Sequence, residues 1–226
     1  MASWMIHLRI ADTLLKQIPN LSKEEFIMGN IAPDSGVPNE DWSKFTPSTT
    51  VSHFRTDNGA GKKKVNIDAF VGRYFMPEQR RSYDSKAYSF FLGYLTHLLT
   101  DCLWSRQIAH PSMDKYSAYN NREMVSKIKD DWYDLDYLYL REHLGFDAFQ
   151  TYKNIDAFPN VYMDIFSRDA FDDRRAYIMG FYEQENDHLD REYPYLTKEE
   201  ADRFVLEASA AILGELKQYQ TERDQI

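Results

Sequence analysis

The chain has 226 residues, 43% of them hydrophobic, which is enough to bury one substantial core in a single domain spanning residues 1–226. Its 36 acidic residues outnumber 27 basic ones, giving a formal charge of -9; this excludes a long nucleic-acid duplex or an anionic bilayer as partner for the surface as a whole, but not a local cationic site. The single cysteine, Cys102, excludes an internal disulfide and fits a reducing compartment.

The N-terminal stretch MASWMIHLRIADTLL has no basic region followed by an apolar run, and it places His7, Arg9 and Asp12 where a signal peptide needs hydrocarbon. No stretch approaches the ~20 uncharged apolar residues needed to span a bilayer. The expected location is the cytoplasm. Met5, Leu8, Ala11, Leu15 and Ile18 recur at helical spacing until Pro19 and Asn20, predicting an amphipathic helix over residues 5–18. Ser22 with Glu25 three residues on has the capping-box pattern and predicts a short helix toward Met28. Residues 29–64 are rich in Gly, Pro, Ser, Thr, Asn and Asp, the composition of a long loop, and a loop of that length inside a compact domain is usually functional. Helical patterns then cover residues 67–75, 85–104, 121–144, 146–154, 170–182 and 198–220, the last opened by Thr197 before KEE. With no strand alternation long enough for a sheet, the predicted class is all-α, a multi-helix bundle with a long loop near residues 29–64.

The segment FFLGYLTHLLTDCLW, residues 90–104, is almost wholly apolar yet contains His97 and Asp101. At i and i+4 they leave the same helix face one turn apart and can share one ion. A buried carboxylate costs several kcal/mol unless it is paired or bound to a metal, and this segment has no Lys or Arg. The alternative is a core histidine bonded to a carbonyl, with Asp101 paired to Arg106. Only six histidines occur in the chain. His7 lies within the first helix, Asp34 in GNIAPDSG and His53 in TTVSHFR; each has a structural reading by itself, but together they supply the nitrogen and oxygen ligands that zinc takes.

The order SWMIHLRIADTLL, GNIAPD, SHFR and GYLTHLLTD resembles the zinc-dependent phospholipase C family, whose relatives include the secreted single-strand-specific nucleases. The resemblance covers about the first 105 residues. It implies an all-helical fold with a site of two or three zinc ions that cleaves phosphate esters. On matching positions, Asp34, His53, His97 and Asp101 resemble the ligands of one zinc, His7 resembles the N-terminal-helix ligand of a second, and Asp101 bridges the two. In secreted relatives a mature N-terminal tryptophan gives its amine and carbonyl to the second metal; Trp4 stands internally here.

For a third ion, His110 stands where the family has a histidine, while Asp130 and Asp134 occupy the place of a later His/Glu pair. Carboxylates there imply a harder, weaker site suited to manganese or magnesium; the alternative for DDWYDLD is a solvated acidic helix face. His188 and Glu192 in HLDRE have the right chemistry but lie much later, and His143 reads as a surface residue.

By resemblance Asp34 both touches the metal and orients or deprotonates the attacking water. The expected activity is metal-dependent hydrolysis of a small phosphodiester, phosphomonoester or phospholipid. The competing class is a non-catalytic helical domain with a structural metal, binding partners through the basic loop Gly59 to Lys64. A third reading, an HD-type phosphohydrolase, lacks the adjacent His-Asp dipeptide that type needs.

Overall fold

The computed structural model describes residues 1–41, 43–57, 63–116 and 122–220. It is all-α in character. Helices α1 (Trp4–Leu15), α2 (Lys23–Ile31), α3 (Thr49–Ser52), α4 (Ile67–Tyr74), α5 (Pro77–Ser82), α6 (Ser85–Trp104) and α7 (His110–Lys115) are followed by α8 (Arg122–Glu142), α9 (Asp147–Asn154), α10 (Ala170–Tyr182) and α11 (Lys198–Gln220). Strands are confined to two short antiparallel pairs: β1 (Val37–Pro38) with β2 (Phe45–Thr46), and β3 (Arg55–Asp57) with β4 (Lys63–Val65).

Residues 29–64 are therefore not loop throughout. α2 runs to Ile31, a 3-10 turn follows over Ala32–Asp34, and α3 and the short strands shape the remainder. Most of the basic loop Gly59 to Lys64 lies outside the described residues. The predicted caps divide. Thr197 closes a reciprocal box, its hydroxyl accepting from the Glu200 amide at 3.2 Å and its amide donating to Glu200 at 2.9 Å. Ser22 occupies the N-cap of α2 without a side-chain bond, and Glu25 instead meets Lys86 Nζ at 2.9 Å.

α6 is the central element. Its residues Phe90 to Leu95 and Leu98 are buried, and Asp84 caps it by accepting from the Ala87 amide at 2.8 Å. Its closest neighbour is α2, and two glycines set that approach. A Cβ on Gly93 would stand 2.2 Å from the Phe26 carbonyl oxygen, and one on Gly29 would stand 2.1 Å from the Phe90 carbonyl oxygen. No larger residue fits where backbone meets backbone at that distance. α1 packs against both, with Met5, Leu8, Ile10, Ala11 and Leu14 fully buried. The α2/α6 crossing thus brings the last turn of α2, which leads into Asp34, alongside the turn of α6 that carries His97.

Beyond Trp104 the helix continues through a π turn over Ser105–Ala109 into α7. A π turn adds a residue to the helical repeat and rotates everything after it.

Candidate metal centre

His7, Asp34, His53, His97 and Asp101 converge from four separate elements. α1 supplies His7, the 3-10 turn Asp34, the end of α3 His53, and α6 both His97 and Asp101. His7, His53 and His97 are completely buried, and Asp101 is 3% exposed. The residues fall into two groups able to hold a divalent ion, His7 with His97 and Asp101, and Asp34 with His53 and His97; within each, the ligand atoms lie within 4.8 Å of one another. His97 belongs to both.

The ligand atoms form a compact cage. His53 Nε2 stands 3.3 Å from Asp34 Oδ1, 3.6 Å from Asp101 Oδ2 and 3.2 Å from His97 Nε2. His97 Nε2 is 3.8 Å from Asp101 Oδ2, and His7 Nε2 is 3.6 Å from Asp101 Oδ1. The His7 and His97 rings stack at 3.8 Å with an interplanar angle of 1°.

Neighbouring groups fix which ring nitrogens face inward. His97 Nδ1 donates to the Asn30 carbonyl at 2.7 Å, so the neutral ring presents its Nε2 lone pair to the centre. His53 Nδ1 lies 3.0 Å from the Ser52 hydroxyl and likewise turns Nε2 inward. The Ser52 carbonyl in turn accepts from the Tyr94 hydroxyl. Phe54, next to His53, holds φ of 50° and is clamped edge-on by Phe70, Tyr74 and Tyr94. A non-glycine residue at positive φ costs energy and persists only where packing enforces it.

Two observations test the fit of a cation. Both ring nitrogens of His7 and Asp101 Oδ2 are buried without a hydrogen-bond partner, a cost protein interiors avoid unless another group binds them. His53 and His97 also point Nε2 at each other at 3.2 Å, which aims two imidazole ligand atoms at one spot. Imidazole nitrogen and carboxylate oxygen are the donor types zinc takes.

The local electrostatics agree. Burial drives the His97 pKa down to about 3, and the neighbouring His7 adds to that, so the ring is neutral at physiological pH. Burial by itself would raise Asp34 and Asp101. For Asp34 the hydrogen bond with His53, backed by the neighbouring imidazoles, outweighs it, and for Asp101 the contact with His7, the neighbouring His97 and the chain's amino terminus do so. Both carboxyls stay well below the usual carboxylate range. The cluster thus joins two ionised carboxylates to a neutral His97.

The N-terminal segment closes one side. The Ala2 amide donates to Asp101 Oδ1 at 2.9 Å, and the Ser3 hydroxyl, which also caps α1, donates to Asp136 at 2.7 Å. Asp136 accepts a second bond from the Tyr182 hydroxyl at 2.7 Å, and burial raises its pKa to about 7. A cavity of about 510 Å³ lies against this segment, and Asp34, 9% exposed at its side chain, is the cluster member that lines it. Trp4, Trp132, Tyr133 and Tyr177 contribute walls, together with the cations Arg55, Lys129 and Arg174.

His110, Asp130 and Asp134 stand outside the two ligand groups found among the described residues. His110 follows the π turn and is exposed. Asp134 is occupied by Arg191, whose Nη2 lies at 2.6 Å, and by Asn186 Nδ2 at 2.8 Å. Asp130 is exposed on the same acidic face, where the buried Asp131 accepts from Arg191, also at 2.7 Å, and from the Tyr195 amide. His188 lines that separate depression beside Arg191, and His143 Nδ1 bonds the Tyr139 carbonyl at an exposed position. Arg106 does not pair with Asp101, whose polar neighbours are the imidazoles and the Ala2 amide.

Spacing alone did not single out Asn30, Ser52 or Asp136. Asn30 acts through its main chain, which leaves no mark on residue type; Ser52 is one of many hydroxyls in STTVS; and Asp136 is hidden among the acids of DDWYDLD.

The family model described as zinc dependent phospholipase C matches residues 6–151, a span that takes in all five clustered residues. No curated protein and no solved structure matches the chain.

Proposed function

The chain belongs to the zinc-dependent phospholipase C family, and from that premise we propose that it is a metal-dependent phosphoester hydrolase centred on His7, Asp34, His53, His97 and Asp101. One observation carries the reading: four buried imidazole and carboxylate groups, three of their polar atoms without a partner, meet Asp34, which opens onto a cleft that admits a small molecule. Zinc is the ion these donors suit, with His97 common to both groups.

When bound, the ions supply Lewis acidity, lowering the pKa of a coordinated water toward ~7 and offsetting negative charge that builds on the phosphate. The protein does the rest. His97 is held in one tautomer by the Asn30 carbonyl, so its orientation is set before any ligand arrives. Asp101 is fixed by the Ala2 amide on one oxygen and leaves the other free for ligation. Asp34 is ionised and reachable from the cleft, so it is placed to accept a hydrogen bond from the attacking water and orient it. The aromatic walls exclude bulk water from the phosphate and hold the apolar part of the substrate. Phosphodiesters, phosphomonoesters and phospholipid head groups fit this chemistry, and no helix among the described residues is long and apolar enough to cross a membrane. A structural metal site would enclose all its ligands, whereas here Asp34 opens onto a cavity, which favours catalysis.

Asp34→Asn tests the assignment. The variant is expected to keep most of its bound zinc while losing ~10²- to 10⁴-fold in turnover of bis-p-nitrophenyl phosphate. Zinc content measured on the same samples decides: metal falling in parallel with activity makes Asp34 chiefly a ligand.

A further inference from the structure

The cleft carries a charge the proposed hydrolysis does not use. Arg174, on α10, is 7% exposed, yet no carboxylate among the described residues pairs with its guanidinium. Nη2 donates to the Gly36 carbonyl at 2.7 Å, Nε has no partner, and the group lies over the Tyr177 ring at 5.2 Å and the Trp4 ring at 6.0 Å. A buried cation without a counter-charge is costly to hold, and one that lines a cavity calls for an anion from solution. Arg55 and Lys129 line the same cavity, also without a carboxylate partner among the described residues. In a chain with nine more acids than bases, this cleft shows three cations against one carboxylate, Asp34. Asp34 belongs to the cluster, so no acidic wall remains to receive a quaternary ammonium.

Resting on the hydrolase reading above, we propose that Arg174, Arg55 and Lys129 form an anion subsite, and that the preferred substrate bears a second anionic group besides the phosphate that is cleaved. Arg55 and Lys129 lie within residues 6–151, whereas Arg174 comes from a part of the chain the family match does not reach. A guanidinium fork suits carboxylate and phosphate alike, and charge-assisted bonds of this kind discriminate by ~10-fold or more.

Two measurements on the full chain test it. The zinc-loaded protein is offered two matched p-nitrophenyl phosphodiesters, one with a choline arm and one whose arm ends in a phosphate, with a carboxylate-ended third arm separating the two anion sources. Calorimetry on the metal-free protein compares propane-1,3-diol bisphosphate with phosphocholine. The expected result is a ~10-fold or greater preference for the doubly anionic molecule in kcat/KM and in Kd, shrinking toward unity in Arg55→Gln/Lys129→Gln and in Arg174→Gln. Arg174→Lys, which keeps charge but not the fork, falls between, and the double variant carries the test if Arg174→Gln does not fold. Hydrolysis of both esters with no preference, or equal losses on both in every variant, overturns the subsite and leaves the hydrolase reading standing. Hydrolysis of neither ester, with the binding preference intact, overturns the hydrolase reading and supports the subsite.

Discussion

α6 and α8 each place two acid or imidazole groups at i and i+4, and the structure treats them in opposite ways. On α6, His97 and Asp101 are buried in hydrocarbon, and no lysine or arginine comes within pairing distance of Asp101 among the described residues. On α8, Asp130 stands exposed to solvent and Asp134 is neutralised by Arg191, a cation delivered from 57 residues further along the chain that also holds Asp131. Identical spacing therefore says only that two side chains share a face. Whether they await an ion depends on whether the chain itself supplies the counter-charge.

The largest effect that could break this contrast is removal of the residue shared by both ligand groups. His97→Ala removes the one inward lone pair of that ring and should weaken zinc binding at least ~100-fold, more than the loss of a residue that merely supports a ligand, and abolish phosphoesterase activity. His7→Ala should spare the ion held by Asp34, His53 and His97. Zinc titration by calorimetry of the two variants checks this; equal losses would mean the two groups are not separate.

A second test addresses the helix crossing. Gly93→Ala drives a Cβ against the Phe26 carbonyl and should cost about 3 kcal/mol or more in urea unfolding. It should also lower zinc affinity in the protein that remains folded, because Asn30 moves off His97. An unchanged unfolding midpoint would show that the close approach of α2 and α6 is dispensable.

The smallest effect sharpens the comparison from the other side. Asp134→Asn removes one member of a partly exposed pair with Arg191 and should change stability by less than ~1 kcal/mol, with bound zinc unchanged. Metal lost from that variant, by elemental analysis, would restore α8 to the ligand set.

Much of the scaffold was legible beforehand because its signals are local. Residues 85–104, 170–182 and 198–220 begin and end where apolar periodicity and caps place them. The five clustered residues were also legible, since a buried His/Asp pair without a cation asks for partners and few histidines were available to answer. Three things were not. The π turn after Trp104 follows from hydrogen-bond pattern rather than residue type, so the exposure of His110 was invisible. Arg191 reaches Asp134 across 57 residues, and no periodicity encodes that. Arg174 differs from its neighbour Arg175 only in where the folded chain points it.

The paired glycines carry one further consequence. Gly29 immediately precedes the carbonyl that orients His97, and Gly93 lies one helical turn before His97 itself. The absence of two methyl groups therefore decides which imidazole nitrogen bears a proton, and substitution pressure at those positions is pressure on acid–base state rather than on packing alone. Glycine beside asparagine in one helix, with glycine four ahead of histidine in another, is a compact signature of such a preset ring that can be sought wherever two helices cross.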